Sequence, residues 1–162
     1  MKNAESGLKA LIARYAQPGR LQAIALRPAR RAAVTMVPVA QVGLRGIEGD
    51  RGSSDKRAVT LVQAEHLAVI GAMLGRGPVS ARDLRRNLLV GGLNLAALKG
   101  RQLAIGAAVL EITGLCAPCS RMEEMLGPGG YSAVRGHGGW CARVIVPGRI
   151  AQGDAVTPLP DH

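Results

Sequence analysis

At 162 residues, with 48% hydrophobic and 20% charged side chains, the chain has the size and composition of one globular domain, which excludes wholesale disorder, collagen and coiled coil. Its formal net charge of +10 rests on 17 arginines and 4 lysines, which points to an anionic ligand or partner, since the guanidinium fork meets phosphate or carboxylate with paired hydrogen bonds. Tyr15, Tyr131 and Trp140 are the only aromatic residues, so the core must be aliphatic, and nucleic-acid modules that stack bases on aromatic platforms are disfavoured.

In chain order, residues 1–19 read as a helical extension, with Leu8, Leu11, Ile12 and Tyr15 at helical spacing and Pro18-Gly19 as the stop. It is expected to be an added cover on a single domain spanning 20–162. No apolar h-region opens the chain. The longest uncharged run, Ala32 to Leu44, contains Pro38 and falls short of the ~20 residues of a spanning helix. A cytoplasmic protein with no membrane partner is therefore expected.

From Arg20 onward the texture changes to short apolar runs rich in Val, Ile and Thr and punctuated by Gly and Pro: LQAIAL, AAVTMVPVAQVGL, RAVTLV, NLLVGGLNL, RQLAIG, AVLEIT, WCARVIV and RIAQGDAVTPL. Such runs are strands. Two helices interrupt them, Gln63 to Leu74 and Ser80 to Arg86, the second opened by the capping-box pattern SARD. A third is expected from Pro118 to Leu126. The following segment, 127–139, has six glycines in thirteen residues and is expected to be a mobile loop, because glycine loses the most backbone freedom on folding. Many strands, few short helices and no regular strand–helix alternation predict a mostly β, antiparallel barrel-like fold. The echo between GIEGD (46–50) and IAQGD (150–154) reads as two strand-ending turns rather than as metal ligands Asp50 and Asp154.

The sharpest chemical feature is CAPCSRMEEM. Pro118 suits the first helical position, which would place Cys119 in the first turn, where free N–H groups and Arg121 favour a thiolate. Three chemistries compete there. A Cys116–Cys119 redox dithiol lacks the strand–helix–strand setting of that motif. A zinc cage from Cys116, Cys119, His137 and Cys141 has acceptable spacing and would make the chain a basic nucleic-acid-binding module, although Cys141 falls in an apolar strand and His137 in a glycine-rich loop. The third is a single Cys119 thiolate bound to a cofactor metal, with Cys116 and Cys141 as bystanders. A second constellation is DLRRNLLVGG: Arg85, Arg86 and Asn87 stand where a short helix gives way to a strand, a sound place for an anionic, heteroatom-rich ligand, and Arg57 is a further candidate. His66 reads as a surface or packing residue.

The order of these motifs resembles the MOSC family, whose domain also forms the C-terminus of molybdenum cofactor sulfurases. The resemblance is carried by GIEGDR (46–51), RAVTLVQAEHL (57–67), DLRRNLLVGGLNLAALKGRQLAIG (83–106), AVLEITGLCAPCSRME (108–123) and GGWCARVIVPGRIAQGDAV (138–156). It implies a β-rich barrel that binds the molybdenum cofactor (molybdopterin), with Cys119 as molybdenum ligand or sulfur carrier and Arg85 and Asn87 near the pterin phosphate. Two activities follow from it: reduction of small N-hydroxylated or N-oxygenated compounds, with electrons from an external donor, or transfer of a Cys119 persulfide between a sulfur donor and an acceptor protein. Three cysteines cannot hold a plant-type iron–sulfur centre, which needs four thiolates.

Overall fold

The computed structural model describes residues 4–52 and 54–160. In chain order the helix α1 (Ala4–Ala13) is followed by β1 (Gly19–Leu26), β2 (Thr35–Val37), β3 (Val39–Gly43), β4 (Gly46–Ile47) and β5 (Val59–Gln63). Two helices, α2 (Ala64–Met73) and α3 (Ala81–Leu84), lead to β6 (Leu88–Gly91), then β7 (Gln102–Ile105) and β8 (Ala108–Leu115). The helices α4 (Ser120–Leu126) and α5 (Gly130–Val134) precede β9 (Trp140–Val146), β10 (Gly148–Ala151) and β11 (Ala155–Pro158).

Seven strands close a barrel in the order β1, β6, β5, β9, β8, β7, β11, and β11 returns to β1 through Gly19↔Val156 and Arg20↔Ala155. Closure removes the unpaired edges that an open sheet would expose. β2 extends β1, while β10, β3 and β4 make a small separate sheet. The barrel is antiparallel as expected, with one departure: β5 and β6 run parallel. A parallel pair requires a crossover, and α2 and α3 are that crossover.

Alternation along the strands separates two apolar clusters. Val59 and Leu61 of β5 and Leu88 and Val90 of β6 point into the barrel with Leu21, Ile24, Leu103, Ile105, Leu110 and Ile112. Val62 and Leu89 point outward instead, onto Ile70, Leu84, Met122, Leu126 and Val134 of the helices. The core is aliphatic, and Thr60 and Asn87, which alternate with inward-facing residues, lie on the helix side of the barrel wall.

Two expectations change. The amphipathic stripe of α1 does not cover the domain: Leu8, Leu11 and Ile12 are each more than half exposed, and the helix edges an open cleft with β11. Nor is 127–139 an irregular loop, because α5 lies inside it with Gly130, Ala133 and Val134 buried. Three of its six glycines, Gly130, Gly138 and Gly139, serve close approach. A Cβ on Gly130 would meet Leu126 and the Met122 carbonyl at 2.7 Å, and the Glu123 carboxylate accepts the Gly129 and Tyr131 amides at 2.8 and 2.9 Å. Those two bonds hold the Glu123 carboxyl below its usual range, and they fix the turn into α5. No helix among the described residues is long and apolar enough to cross a membrane.

Candidate functional site

The site is built on a buried charge network beneath the helix side of the barrel. The Asp50 side chain is fully buried and pairs with Arg27 at 3.0 Å. It also accepts the Arg27 backbone amide at 2.7 Å, the Arg27 Nε at 3.1 Å, the Gly52 amide at 2.9 Å and the Asn87 Nδ2 at 3.0 Å. Burial pushes the Asp50 carboxyl up, but the side-chain and backbone hydrogen bonds from Arg27, its charge and the Gly52 amide outweigh that and hold it below the ordinary carboxylate value. Asn87 is the hub: its Oδ1 accepts from the Thr60 amide, the Thr60 hydroxyl and Arg27, and its Nδ2 also donates to the Ala25 carbonyl.

Above this floor lies a hollow of about 220 Å³ lined by Arg30, Arg31, Arg51, Arg85, Arg121, Cys119, Ser120 and Glu124. A capping box, with Ser80 and Asp83 each bonding the other's amide, opens α3, and the helix ends at Arg85 in a left-handed conformation (φ 55°). From there the Arg85 guanidinium donates to the Ala32 carbonyl at 2.5 Å and the Ala29 carbonyl at 3.4 Å, pinning the loop that brings in Arg30 and Arg31. Arg121 donates to the Arg31 carbonyl at 3.4 Å, yet its Nε is buried without a partner. Burial, and then repulsion from Arg121, Arg51 and Arg27, lowers the proton affinity of Arg85. An anion in the hollow would relieve that repulsion.

Cys119 is exposed at the lip of this hollow. It is the N-cap of α4 (φ −128°, ψ 171°), not a residue of the first turn: the helix starts at Ser120, two residues after Pro118. Its thiol therefore stands free on the loop. Arg86, adjacent to Arg85, turns the other way and is buried, with its Nε donating to the Gly138 carbonyl at 2.6 Å and Nη2 reaching the Cys116 and Ala117 carbonyls at 3.5 and 3.4 Å. It clamps the segment that presents Cys119.

Of the residues expected from sequence, Cys119 and Arg85 meet at the hollow, whereas Asn87 lies beneath it with its amide committed to the network. Arg57 sits exposed in a 3-10 turn (Asp55–Arg57) and does not line the hollow. The zinc cage does not form: no group of three or more His, Cys, Asp or Glu among the described residues is placed to hold a metal. His137 instead makes an edge contact with His66, with ring centroids 5.1 Å apart, and burial together with His137 lowers the His66 pKa. Cys116 does not pair with Cys119; its thiol is hydrogen-bonded to that of Cys141. Asp154 is the turn residue expected, accepting the Ala151 amide at 2.8 Å, but Asp50 is the keystone of the buried network. Sequence reasoning missed Arg27 and Asp50, and it left Arg30, Arg31 and Arg51 unassigned. The RPARR cluster and the GIEGDR turn were the available signals. A larger cleft of about 760 Å³ between α1 and β11 offers mostly aliphatic groups and no nucleophile.

Fold and site thus define a small closed barrel with an arginine-lined hollow and one exposed thiol at its lip. The MOSC domain model matches residues 48–157, and the chain belongs to the MOSC domain family. The match begins after β1, although β1 supplies the stave that closes the barrel. Solved structures share the fold. The YuaD protein from Bacillus subtilis superposes with a TM-score of 0.76 at 18% identity, over 86% of this chain and 94% of that one. YiiM from Geobacillus stearothermophilus gives 0.73 at 20% identity over 88% of this chain and 76% of that one. YiiM from Escherichia coli gives 0.69 at 18%, over 88% and 71%. No curated protein matches the sequence.

Proposed function

We propose that this MOSC protein holds the molybdenum cofactor with Cys119 as the protein's ligand to the metal, and that it reduces small N-hydroxylated or N-oxygenated compounds. The observation that carries the reading is the exposed Cys119 thiol at the lip of a hollow ringed by five arginines. The residues fit the group: a thiolate is a soft ligand suited to a polarisable metal, and the unpartnered Arg121 Nε beside Arg85 offers donors to a phosphate. At about 220 Å³ the hollow takes one end of such a ligand.

When bound, the cofactor would supply a two-electron redox centre for reduction of an N–O bond. The chain's own part is positional and electrostatic. Arg85 and Arg121 would neutralise the phosphate, and their bonds to the Ala32 and Arg31 carbonyls already hold them in place. Arg86 fixes the loop so that Cys119 needs no reordering to bind. The Arg27, Asp50 and Asn87 network keeps the floor rigid. Two electrons from an external donor and two protons complete the conversion of an N-hydroxyl compound to the amine and water.

Molybdenum measured by mass spectrometry in protein purified from a cofactor-producing host tests the reading. Wild type should carry metal and Cys119→Ser should not. Equal, negligible metal in both defeats it. The exposure of Cys119 also favours a second reading, in which its persulfide passes sulfur to a partner protein. Intact mass after incubation with a cysteine desulfurase separates the two, because only the carrier gains a stable sulfur atom on Cys119.

A further inference from the structure

Cys116 and Cys141 are outside the hollow and play no part in the proposed reduction. β8 and β9 pair antiparallel through Gly114↔Cys141 and Leu115↔Trp140, and the Cys116 amide adds a further rung to the Gly139 carbonyl at 2.9 Å. By this register Cys116 and Cys141 are diagonal neighbours on one face. Their thiols are hydrogen-bonded, with Cys141 as the donor. Cys116 is half-buried at the end of its strand, while Cys141 is buried behind it. The charges of Arg86, Arg27 and Arg57 act on Cys116, and Arg86 also holds its carbonyl. Neither the barrel nor the cofactor reading needs two thiols placed in this way.

We propose that Cys116 and Cys141 form a peroxide-reactive dithiol, distinct from the Cys119 hollow, in which Cys116 is the attacking sulfur and Cys141 closes an intramolecular disulfide. The oxidant is a hydroperoxide. The Cys116 sulfur attacks one peroxide oxygen, an S–O bond forms as the O–O bond breaks, and the departing alkoxide or hydroxide takes up a proton, leaving Cys116 as the sulfenic acid. Cys141 then attacks the Cys116 sulfur: the S–S bond forms, the S–O bond breaks, and the Cys141 proton leaves with the hydroxide as water. In sum, two thiols and one hydroperoxide give one disulfide, one alcohol (or water) and one water.

The electrostatics agree with these roles. The hydrogen bond from Cys141 together with the arginine charges, against the penalty of burial, brings the Cys116 thiol down to about 6, well below the ordinary cysteine value, which favours Cys116 as the attacking sulfur. Donating that bond, along with burial, raises the Cys141 thiol. Oxidation of Cys116 removes the negative charge that kept the Cys141 proton in place, so the second thiol is released for reaction by the first step.

The experiment treats the reduced protein with one equivalent of hydrogen peroxide, followed by intact mass and peptide mapping. A Cys116–Cys141 link, reversed by dithiothreitol, should form in wild type and equally in Cys119→Ser. Thiol loss should slow at least tenfold in Cys116→Ser. In Cys141→Ala, and in Cys141→Ser as a second variant against misfolding, dimedone should trap the sulfenic acid on Cys116. Alkylation of Cys116 should level off above about pH 7. A link through Cys119, oxidation confined to Cys119, or Cys116 alkylation still rising past pH 8 overturns the proposal. None of these readouts depends on bound metal, so this inference and the molybdenum reading fail separately.

Discussion

Replacing Asp50 by Asn removes the charge opposite Arg27 while keeping the shape of the side chain. Asp50 is fully buried, Arg27 is nearly so, and the carboxylate accepts five hydrogen bonds from three residues. Breaking a buried pair by removing one partner costs about 3–5 kcal/mol, because the other charge is left uncompensated. For a chain of this size each kcal/mol moves Tm by roughly 2–4 °C, so the expected drop is roughly 6–20 °C. Urea unfolding at neutral pH measures it. The double replacement Arg27→Leu with Asp50→Leu should lie closer to wild type than either single change, since an apolar pair leaves no stranded charge. The pH dependence has a definite sign. The folded Asp50 pKa lies below its unfolded value, so its contribution is complete above the ordinary carboxylate range and is lost as pH falls through the folded value. The gap between wild type and Asp50→Asn should therefore narrow on acidification. A variant within about 1 kcal/mol of wild type at neutral pH, or a gap that widens in acid, refutes the assignment of Asp50 as keystone.

Further substitutions probe the parts that aim the site. Cys119→Ser should leave unfolding within about 0.5 kcal/mol of wild type, because the thiol is exposed and serine is itself a favoured N-cap, so lost metal would report ligation rather than misfolding. Ser80→Ala breaks the capping box of α3 and should cost about 1 kcal/mol in urea melts. Gly139→Ala should cost about 3 kcal/mol or more, since the residue has φ 103° and a Cβ there would collide with the Leu61 carbonyl. Arg85→Ala should remove most of the thermal stabilisation that inorganic phosphate gives wild type, read as a Tm shift that shrinks with added salt.

The strands were legible because Val, Ile and Thr recur in short runs between glycines. The barrel itself was expected, but the strand pair that closes it was not: closure rests on the pairing of Gly19 and Arg20 with Val156 and Ala155, at opposite ends of the domain, and no local pattern announces such a contact. The glycine-rich stretch 127–139 misled for a related reason: glycine abundance signals either mobility or crowding, and only the position of Leu126 and Met122 against Gly130 tells which. Cys119 stood out through its proline and its spacing, though Pro118 lies outside the helix it was expected to begin. Asp50 did not stand out. A lone acid after glycine reads as a turn, and its partners Arg27 and Asn87 are 23 and 37 residues away.

The hollow and the floor beneath it solve one electrostatic problem between them. Five guanidiniums gathered around about 220 Å³ repel one another; burial first, and then repulsion from Arg121 and Arg51 of that cluster and from Arg27 beneath it, lowers the proton affinity of Arg85. Arg85 and Arg121 are oriented by the neutral carbonyls of Ala29, Ala32 and Arg31, which fix direction without cancelling charge. A full negative charge is spent instead on Arg27, below the hollow, where Asp50 meets it out of contact with solvent. The cluster above keeps its positive potential, and the strain of assembling it is set against packing and the buried pair. An incoming phosphate would then gain charge-assisted bonds without first displacing a protein carboxylate from Arg85 or having to order its side chain. The same division accounts for the opposite turn of Arg86, whose charge goes to the Gly138, Cys116 and Ala117 carbonyls and so to the segment carrying the thiols.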